Sequence, residues 1–238
     1  MKEDWQQRTV TLIGQDAVTR LKNAHVLVAG VGGVGGYAVE TLVRCGIGNL
    51  TIIDADNVSE SNINRQLVAL HSTIGMSKVN ILADRCRDIN PDISINAVQE
   101  FITVDNTSKM IGSDVDFVVD AIDTIAPKIS IIKYCLKNKI PIISSMGAGG
   151  RIDPAKIGYF DISETREDGL ARVVRQRLKK DGIRSGLKVV ASLEVPIHSA
   201  VIELDEQNKR SSLGTTFTVP SMFGIYLGNY VIRKLTNI

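Results

Sequence analysis

The chain has 238 residues, and its 28 lysines and arginines against 26 aspartates and glutamates give a formal net charge of +2. Hydrophobic residues make up 44% and charged residues 23%, which are ordinary globular values and exclude disorder, a collagen-like repeat and a disulfide-stabilised miniprotein. No apolar run approaches the roughly 18 residues of a membrane span. The polar first residues are not those of a signal peptide, so no membrane association is expected.

Three cysteines lie far apart in the sequence, without a C-x-x-C pair. An unpaired count without a secretion signal favours a reducing, cytoplasmic location. The lack of cysteine pairs also predicts that the chain has no tetrathiolate zinc site. Cys45, Cys86 and Cys135 fall in predicted helices among apolar neighbours, which indicates core residues rather than nucleophiles.

The first half of the chain alternates short β-branched runs with longer helical patterns. These predict strands at residues 25–30, 50–54, 93–98, 115–120 and 140–144. Helices are predicted at 34–45, from a Ser77 cap to about 89, briefly after 105, and at 127–137. This rhythm implies an α/β fold with a Rossmann-like, mostly parallel sheet and helices on both faces.

The pattern changes after the glycine-rich run at 147–150. A helix is predicted at 166–180, a strand at 188–193 and a closing helix at 222–235. No flexible linker marks a boundary near residue 150. We therefore interpret residues 1–238 as one domain, in which 1–150 form a core and 151–238 an extension that finishes the sheet in a mixed αβ arrangement.

A glycine-rich loop, G-V-G-G-V-G at residues 30–35, follows the first predicted strand and opens a helix. The glycines, Gly32 and Gly33 among them, allow a tight turn and let backbone N–H groups approach a phosphate at the helix N-terminus. Asp54, at the end of the second strand, stands where an acid that binds a ribose is expected. The loop alone does not choose between NAD, FAD, S-adenosylmethionine and ATP.

The stretch that follows Asp54 favours a triphosphate. Asp56, several amides and Arg65 lie just past the ribose position, and Lys78 starts the next helix. If the ligand were a dinucleotide, the glycine loop would already bind its pyrophosphate, and a further arginine and lysine would have no phosphate to bind. The β and γ phosphates of ATP carry additional negative charge, which an arginine and a lysine can offset. Asp123, just beyond the fourth strand, is a candidate ligand for a magnesium ion on that triphosphate.

These motifs resemble the adenylating enzymes of the ubiquitin-activating superfamily, of the ThiF, MoeB and HesA type. The matching patterns are G-x-G-G-x-G, D-x-D-x-V-x-x-S-N-x-N-R-Q and G-x-x-K, and the resemblance covers about residues 25–150. It implies that Gly33 and Asp54 lie at the adenosine and ribose, and that Asp123 lies at the magnesium ion. The residues that it implies at the phosphates are Ser61, Asn62, Asn64, Arg65 and Lys78. Arg65, Lys78 and Asp123 would then carry the catalysis.

One branch, the tRNA threonylcarbamoyladenosine dehydratases, is resembled over nearly the whole chain. The matching segments include R-T-V-T-L-I-G at 8–14, D-A-I-D at 120–123 and G-A-G-G-R-I-D-P at 147–154. Gly169 departs from the family pattern, which has proline there. The resemblance implies ATP-dependent dehydration, a cyclisation, of N6-threonylcarbamoyladenosine at tRNA position 37 through an acyl-adenylate on the threonyl carboxylate.

The resemblance also implies partners and cofactors. These are ATP and Mg²⁺ without zinc, tRNA, and a second copy of the chain to which Arg8 reaches across a homodimer; a sulfur-transfer protein is a further candidate partner. The main alternative is an adenylating enzyme for a small carrier protein or a sulfur-transfer pathway. The molybdopterin- and thiamine-pathway members carry two C-x-x-C pairs and a reactive cysteine, and this chain has neither pair. An NAD-linked oxidoreductase and a non-catalytic nucleotide-binding scaffold also remain open.

Charge is concentrated between residues 166 and 188, where eight basic residues face three acidic ones. The local charge is +5 in a chain whose total is +2. On a helical wheel the apolar residues at 170, 173, 174 and 178 face inward, which turns Arg172, Arg175 and Lys179 outward. Spaced cations on an exposed face suit a phosphate backbone, so this face is predicted to bind tRNA.

Overall fold

The computed structural model describes residues 4–197, 199, 201–206 and 209–238, with residues 201–206 and 209–212 described through their backbone alone. Its strands are β1 (His25–Ala29), β2 (Asn49–Ile53), β3 (Ser94–Val98), β4 (Phe117–Asp120), β5 (Ile142–Ser145), β6 (Ile157–Asp161), β7 (Lys188–Ser192), β8 (Val201–Glu206) and β9 (Lys209–Leu213). The first seven form one sheet in the order β3-β2-β1-β4-β5-β7-β6. All neighbours in it are parallel except β6, which runs antiparallel to β7 at the edge. The last two strands pair antiparallel in a separate sheet.

Helices cover both faces of the large sheet. They are α1 (Gln7–Ile13), α2 (Gln15–Asn23), α3 (Gly35–Arg44), α4 (Lys78–Ile89), α5 (Thr107–Met110), α6 (Ile125–Asn138), α7 (Gly169–Lys180) and α8 (Thr218–Thr236). One core lies between the sheet and α2, α3, α4 and α8, and the other between the sheet and α6 and α7. No helix among the described residues combines the length and apolarity needed to cross a bilayer.

Strand β1 shows why apolar runs without alternation predicted this architecture. Val26 and Val28 point into one core, and Leu27 and Ala29 point into the other. All four side chains are fully buried, because successive residues of a strand face opposite sides of the sheet. The expected doubly covered, mostly parallel sheet with a partly antiparallel end is confirmed.

Helix α8 packs closely on α3. At two glycines of α8, no side chain separates the two helix backbones. A Cβ atom on Gly224 would collide with the carbonyl oxygen of Val34, and one on Gly228 would lie 2.7 Å from Cβ of Thr41. At its N-terminal end, Cβ of Pro220 lies 3.5 Å from the place where a Cβ on Gly33 would stand. The last helix of the chain therefore supports the glycine loop near its start.

Gly169, where the resemblance leads us to expect proline, is the first residue of α7, and its surroundings can accommodate proline. The preceding Asp168 is extended (φ −139°, ψ 111°), as a residue before proline must be, and it caps the helix through the N–H of Ala171. A Cβ on Gly169 would meet nothing within 4 Å. Proline suits this position and restricts the unfolded chain, so Gly169→Pro should raise the free energy of unfolding by about 0.4–1 kcal/mol.

Chemical denaturation of the wild type and the Gly169→Pro variant measures this difference. Gly182→Pro is the matched control, because Gly182 has φ +80°, which proline cannot adopt. The control should lower the free energy of unfolding. A Gly169→Pro variant as unstable as the control would show that the start of α7 does not tolerate a fixed φ.

Candidate nucleotide-binding site

The glycine loop at 30–35 joins the carboxyl end of β1 to the N-terminus of α3. Gly30 has φ +83°, and its N–H donates to the carbonyl oxygen of Ile53 on β2 at 2.8 Å. A side chain on Gly35 would collide with the carbonyl oxygen of Gly30. This bare turn at the start of a ten-residue helix leaves backbone N–H groups for an anion, so it fits the phosphate of a nucleotide.

Asp54 fastens this loop to the segment that follows β2. Its Oδ2 accepts a hydrogen bond from the N–H of Val31 at 2.8 Å, and its Oδ1 accepts one from the N–H of Asp56 at 2.9 Å. A carboxylate has about four acceptor sites, so the half-buried side chain can also accept from a ribose hydroxyl. Asp54 thus has a second role, in shaping the phosphate loop, that its sequence position did not reveal.

Lys78 is a buried cation whose ammonium is held at the edge of the site. The residue is 4% exposed, and its Nζ donates to Oδ2 of Asp56 at 2.8 Å. Its backbone N–H donates to the carbonyl oxygen of Asp56 at 3.2 Å. Ser77 holds the predicted N-cap position, but its side chain makes no cap hydrogen bond, and its buried Oγ has no hydrogen-bond partner among the described residues. Asp56 therefore positions Lys78 and is not merely a cap of its own turn.

Arg65 and Asp123 lie close enough to interact electrostatically. Nη1 of Arg65 donates to the carbonyl oxygen of Ser61 at 2.8 Å and to Oδ1 of Asn64 at 2.7 Å, so the guanidinium has a fixed direction. Partial burial lowers the pKa of Arg65, and the Asp123 carboxylate opposes that shift. A cation that binds phosphate and a carboxylate that can bind a metal therefore share one site, although they are 58 positions apart in the sequence.

The glycine loop packs against the segment that carries Arg65. A Cβ on Gly33 would lie 3.3 Å from Cγ of Arg65, and one on Gly32 would lie 3.7 Å from Nε2 of Gln66. The structure thus brings Gly32, Gly33, Asp54, Arg65 and Asp123 together as predicted, and adds Gln66, which the sequence analysis did not single out.

The polar residues before Arg65 contribute unequally. Asn62 is 8% exposed, and its Oδ1 accepts from the N–H of Ser59 at 3.2 Å, so this side chain shapes a single-turn helix. Ser61 is exposed, with its Oγ 3.0 Å from Oγ of Ser59. Asn64 donates to the carbonyl oxygen of Thr215 at 3.0 Å, which ties the loop to the segment before α8. Direct contacts of these three residues with phosphate stay predictions.

Asp123 lies on the turn between β4 and α6, and its surroundings fit a magnesium ion held on a phosphate. The turn packs on the glycine loop, since a Cβ on Gly30 would lie 3.0 Å from the carbonyl oxygen of Ala121. Magnesium in nucleotide sites takes one or two carboxylates and completes its shell with phosphate and water. In the described part of the chain no cluster of three or more His, Cys, Asp or Glu could hold a metal, so a site here relies on Asp123 and the nucleotide.

Arg8 lies exposed on α1, away from this cluster in its own chain. Gln6, two residues earlier, reaches Gly46 beyond the C-terminal end of α3. Since α3 has ten residues, this end lies about 15 Å along the helix from the glycine loop. Any contact of Arg8 with a nucleotide is thus more readily made in another copy of the chain.

Helix α7 presents most, but not all, of the predicted basic face. Arg172 and Lys179 are exposed, as is Lys180. The expectation that Arg175 also faces outward is wrong. Its Nη1 donates to the carbonyl oxygen of Thr165 at 2.9 Å and also bonds the hydroxyl of that residue, because position 175 borders the inward stripe of α7.

The three cysteine thiols are unsuited to nucleophilic chemistry. Burial raises the pKa of Cys86 and of Cys135 to about 12, and it also raises the pKa of Cys45. At neutral pH these groups stay protonated, and the thiolate is the reactive form.

Comparisons with known proteins identify the family of the chain. The ThiF family pattern matches residues 6–237. The tRNA threonylcarbamoyladenosine dehydratase of Bacillus subtilis is 40% identical over 96% of this chain and 93% of its own length. The crystal structure of the Escherichia coli tRNA N6-threonylcarbamoyladenosine dehydratase in complex with ATP superposes with a TM-score of 0.90 at 36% identity, covering 100% of this chain and 97% of that one.

A molybdopterin-synthase adenylyltransferase from Escherichia coli, by contrast, is 36% identical over only 59% of this chain and 54% of its own length. The similarity to the dehydratases extends through the C-terminal part as well. The chain therefore belongs to the ThiF family, in its tRNA threonylcarbamoyladenosine dehydratase branch.

Proposed function

We propose that this chain uses ATP to dehydrate N6-threonylcarbamoyladenosine at tRNA position 37 to its cyclic form. The observation that carries the proposal is the end-to-end match to the dehydratases, together with a site that sets Arg65 opposite Asp123 beside the glycine loop. Residues 1–150 would be the nucleotide-binding core of one ThiF-type adenylating domain, with 151–238 as the extension that faces substrate and tRNA. The three free cysteines support a reducing, cytoplasmic location; a sulfur-transfer partner stays a prediction.

The chemistry needs positioning rather than an enzyme nucleophile. A free carboxylate is a poor electrophile, and attack of the threonyl carboxylate on the α-phosphorus of ATP releases pyrophosphate and leaves AMP as a good leaving group. The nitrogen or oxygen of the neighbouring carbamoyl group then closes the ring on the activated carbonyl and expels AMP. Arg65 and Lys78 would hold the phosphates in line and offset charge on the departing pyrophosphate. A magnesium ion at Asp123 would neutralise further phosphate charge.

Mass spectrometry of tRNA nucleosides after incubation with the protein, ATP and Mg²⁺ tests this function. The expected product is threonylcarbamoyladenosine that has lost one water, with AMP and pyrophosphate released. Omission of ATP is the control. An unchanged nucleoside, together with pyrophosphate exchange that requires a small carrier protein, would instead establish the alternative adenylating activity.

We propose that tRNA docks on the exposed basic face of α7. With Arg175 bonded to Thr165, Arg172 and Lys179 are the two residues of the predicted face that remain exposed. Changing both to Gln should weaken tRNA binding and flatten its dependence on salt, because fewer counterions are released. The same change at two exposed lysines elsewhere, Lys22 and Lys139, should have a smaller effect. Equal effects of the two pairs would place the docking surface elsewhere.

We propose a homodimer in which Arg8 serves the site of the other copy. The exposed apolar residues Ile152, Leu193, Val195 and Ile197 lie on two segments that are hydrogen-bonded to each other. The N–H of Ile197 donates to the carbonyl oxygen of Gly150 at 2.7 Å, and the N–H of Ile152 donates to Oε2 of Glu194 at 3.1 Å. Light scattering should show a dimer. Mixing the slowed Arg8→Ala and Arg65→Ala proteins should raise the activity above that of either variant alone, because one site of the mixed dimer is then complete. No restoration by an exchanging dimer would contradict the contribution of Arg8 in trans.

Replacement of Cys45, Cys86 and Cys135 together by Ala should leave the turnover rate close to that of the wild type. The thiols are protonated, and ring closure by the substrate requires no thioester. The free energy of unfolding should fall, because two of the three side chains are fully buried. Steady-state product formation and thermal unfolding separate the two effects. A folded but inactive variant would point to covalent catalysis by a cysteine.

A further inference from the structure

A fully buried ion pair lies next to Asp123 and has no part in the mechanism above. Nζ of Lys128 lies 2.6 Å from Oδ2 of Asp120, and both side chains are 0% exposed. The ammonium also donates to Oγ of Ser144 and to the carbonyl oxygen of Ser145, each at 3.0 Å. Oγ of Ser144 donates in turn to Oδ2 of Asp120 at 2.5 Å. All three ammonium protons therefore have partners, and none is left for a ligand.

Stability alone does not account for this pair. Two charges lose their hydration in such a site, and replacement of a buried pair by apolar residues is often neutral or stabilising. The neighbouring inward residues of α6 are apolar, among them Ile131, Ile132 and Cys135. An apolar side chain at 128 would suit this core, so the pair is better explained by what it holds in place.

The ion pair links the two ends of the turn that carries Asp123. Asp120 is the last residue of β4, and Lys128 lies in the first turn of α6. Oδ1 of Asp120 also accepts from the N–H of Ile122 at 3.2 Å, within the turn itself. The bonds to Ser144 and Ser145 fasten both ends to β5.

The same turn is packed against the glycine loop on its other side. Cβ of Ala121 lies 3.2 Å from the place of a Cβ on Gly35, and the Ala121 carbonyl lies against Gly30. A shift of the turn would therefore move Asp123 relative to both the phosphate loop and Arg65. The buried group joins three parts of the site that the sequence keeps apart: β4, β5 and the start of α6.

We propose that Asp120, Lys128 and Ser144 form a clamp that positions Asp123 for metal-bound ATP. They are positioning residues, since their burial keeps them from touching the nucleotide. The inference rests on the proposed function only in taking Asp123 as the carboxylate that meets the metal. The proposal predicts that a variant without the charges of the clamp still binds ATP. In that variant, however, Mg²⁺ should no longer raise the affinity for ATP as it does in the wild type.

The double variant Asp120→Asn, Lys128→Met tests the clamp with little change of shape. Asn keeps an acceptor for the N–H of Ile122, and Met keeps most of the packing of the lysine stem. The matched control is Glu40→Gln, Arg85→Met, which removes an ion pair of 2.8 Å between α3 and α4, outside the site. ATP binding is measured by calorimetry with EDTA and with Mg²⁺, and thermal unfolding is followed for all proteins.

The clamp variant should bind ATP in EDTA like the wild type and bind ATP with Mg²⁺ about 10–100-fold more weakly than the wild type, as is typical when the support of a metal ligand is lost. The control variant should keep the wild-type response to Mg²⁺. A wild-type response in the folded clamp variant would overturn the proposal. If the clamp variant does not fold, the Ser144→Ala variant is used instead, because it removes only one hydroxyl from the clamp. An unchanged response of its ATP affinity to Mg²⁺ would also overturn the proposal.

Hydrogen exchange of the ligand-free protein gives a second readout. Amides of residues 121–126 should exchange faster in the clamp variant and at the wild-type rate in the control. Neither measurement requires tRNA or product. If wild-type protein bound ATP with Mg²⁺ in this way but dehydrated no nucleoside, the proposed function would fail and the clamp would stand.

Discussion

Asp123→Ala should lose about a thousandfold in turnover, or about 4 kcal/mol of transition-state stabilisation, with little loss of stability. The side chain is exposed on the turn between β4 and α6, so its removal leaves no cavity in either core. It does remove the carboxylate that interacts electrostatically with Arg65. The described residues contain no cluster of three or more His, Cys, Asp or Glu that could hold the metal instead, so the loss should fall on catalysis rather than on folding.

Pyrophosphate exchange and dehydration of tRNA, both at saturating Mg²⁺, measure this effect. Asp123→Asn is a matched variant that keeps the shape and removes the charge, and it should be nearly as slow. Asp105→Ala removes another exposed carboxylate and should be active. An Asp123→Ala protein with the wild-type rate at saturating Mg²⁺ would show that the metal is held elsewhere.

Arg65→Ala and Lys78→Met should each slow adenylation about a hundredfold, or about 3 kcal/mol, because each removes a cation that offsets charge on the departing pyrophosphate. Methionine is chosen at 78 because the lysine stem is buried and alanine would leave a cavity. Pyrophosphate exchange measures adenylation without the ring closure that follows, and thermal unfolding controls for the fold.

Two further variants separate charge from geometry. Arg65→Lys keeps the charge but not the two hydrogen bonds to Ser61 and Asn64, so its rate should lie between those of wild type and Arg65→Ala. Asp56→Asn frees the Lys78 ammonium and should be much milder than Lys78→Met. Wild-type exchange in both Arg65→Ala and Lys78→Met would refute the role of these cations in adenylation.

Local patterns predicted the first five strands to within a few residues, because β1 and β4 are apolar runs and β2, β3 and β5 each carry β-branched residues between turn signals. Strand β6 was missed: most of its side chains are only half-buried, as befits an edge strand, so its sequence lacks such a run. The orientation of Arg175 could not be read from a helical wheel, because it depends on Thr165, which precedes the helix.

The candidate site likewise contains residues that the sequence predicted and contacts that it did not predict. Asp54 and Asp123 were found because each follows a strand, and the carboxyl ends of parallel strands meet at one edge. The pairing of Lys78 with Asp56 and the proximity of Arg65 to Asp123 join distant segments, so no local pattern contains them. Lys128 was overlooked because a single lysine in an apolar helix is usually a surface residue, and only its complete burial sets it apart.

The contact between α8 and α3 bears on how the protein folds. Phe223, Leu227 and Val231 of α8 complete the core beneath α3, and Pro220 lies against the glycine loop. Because α8 follows every strand of the large sheet in the sequence, α3 is joined to it only by long-range contacts. Docking of α8 should therefore be a late step of folding, and the wall of the nucleotide pocket that it supports should form only at that step.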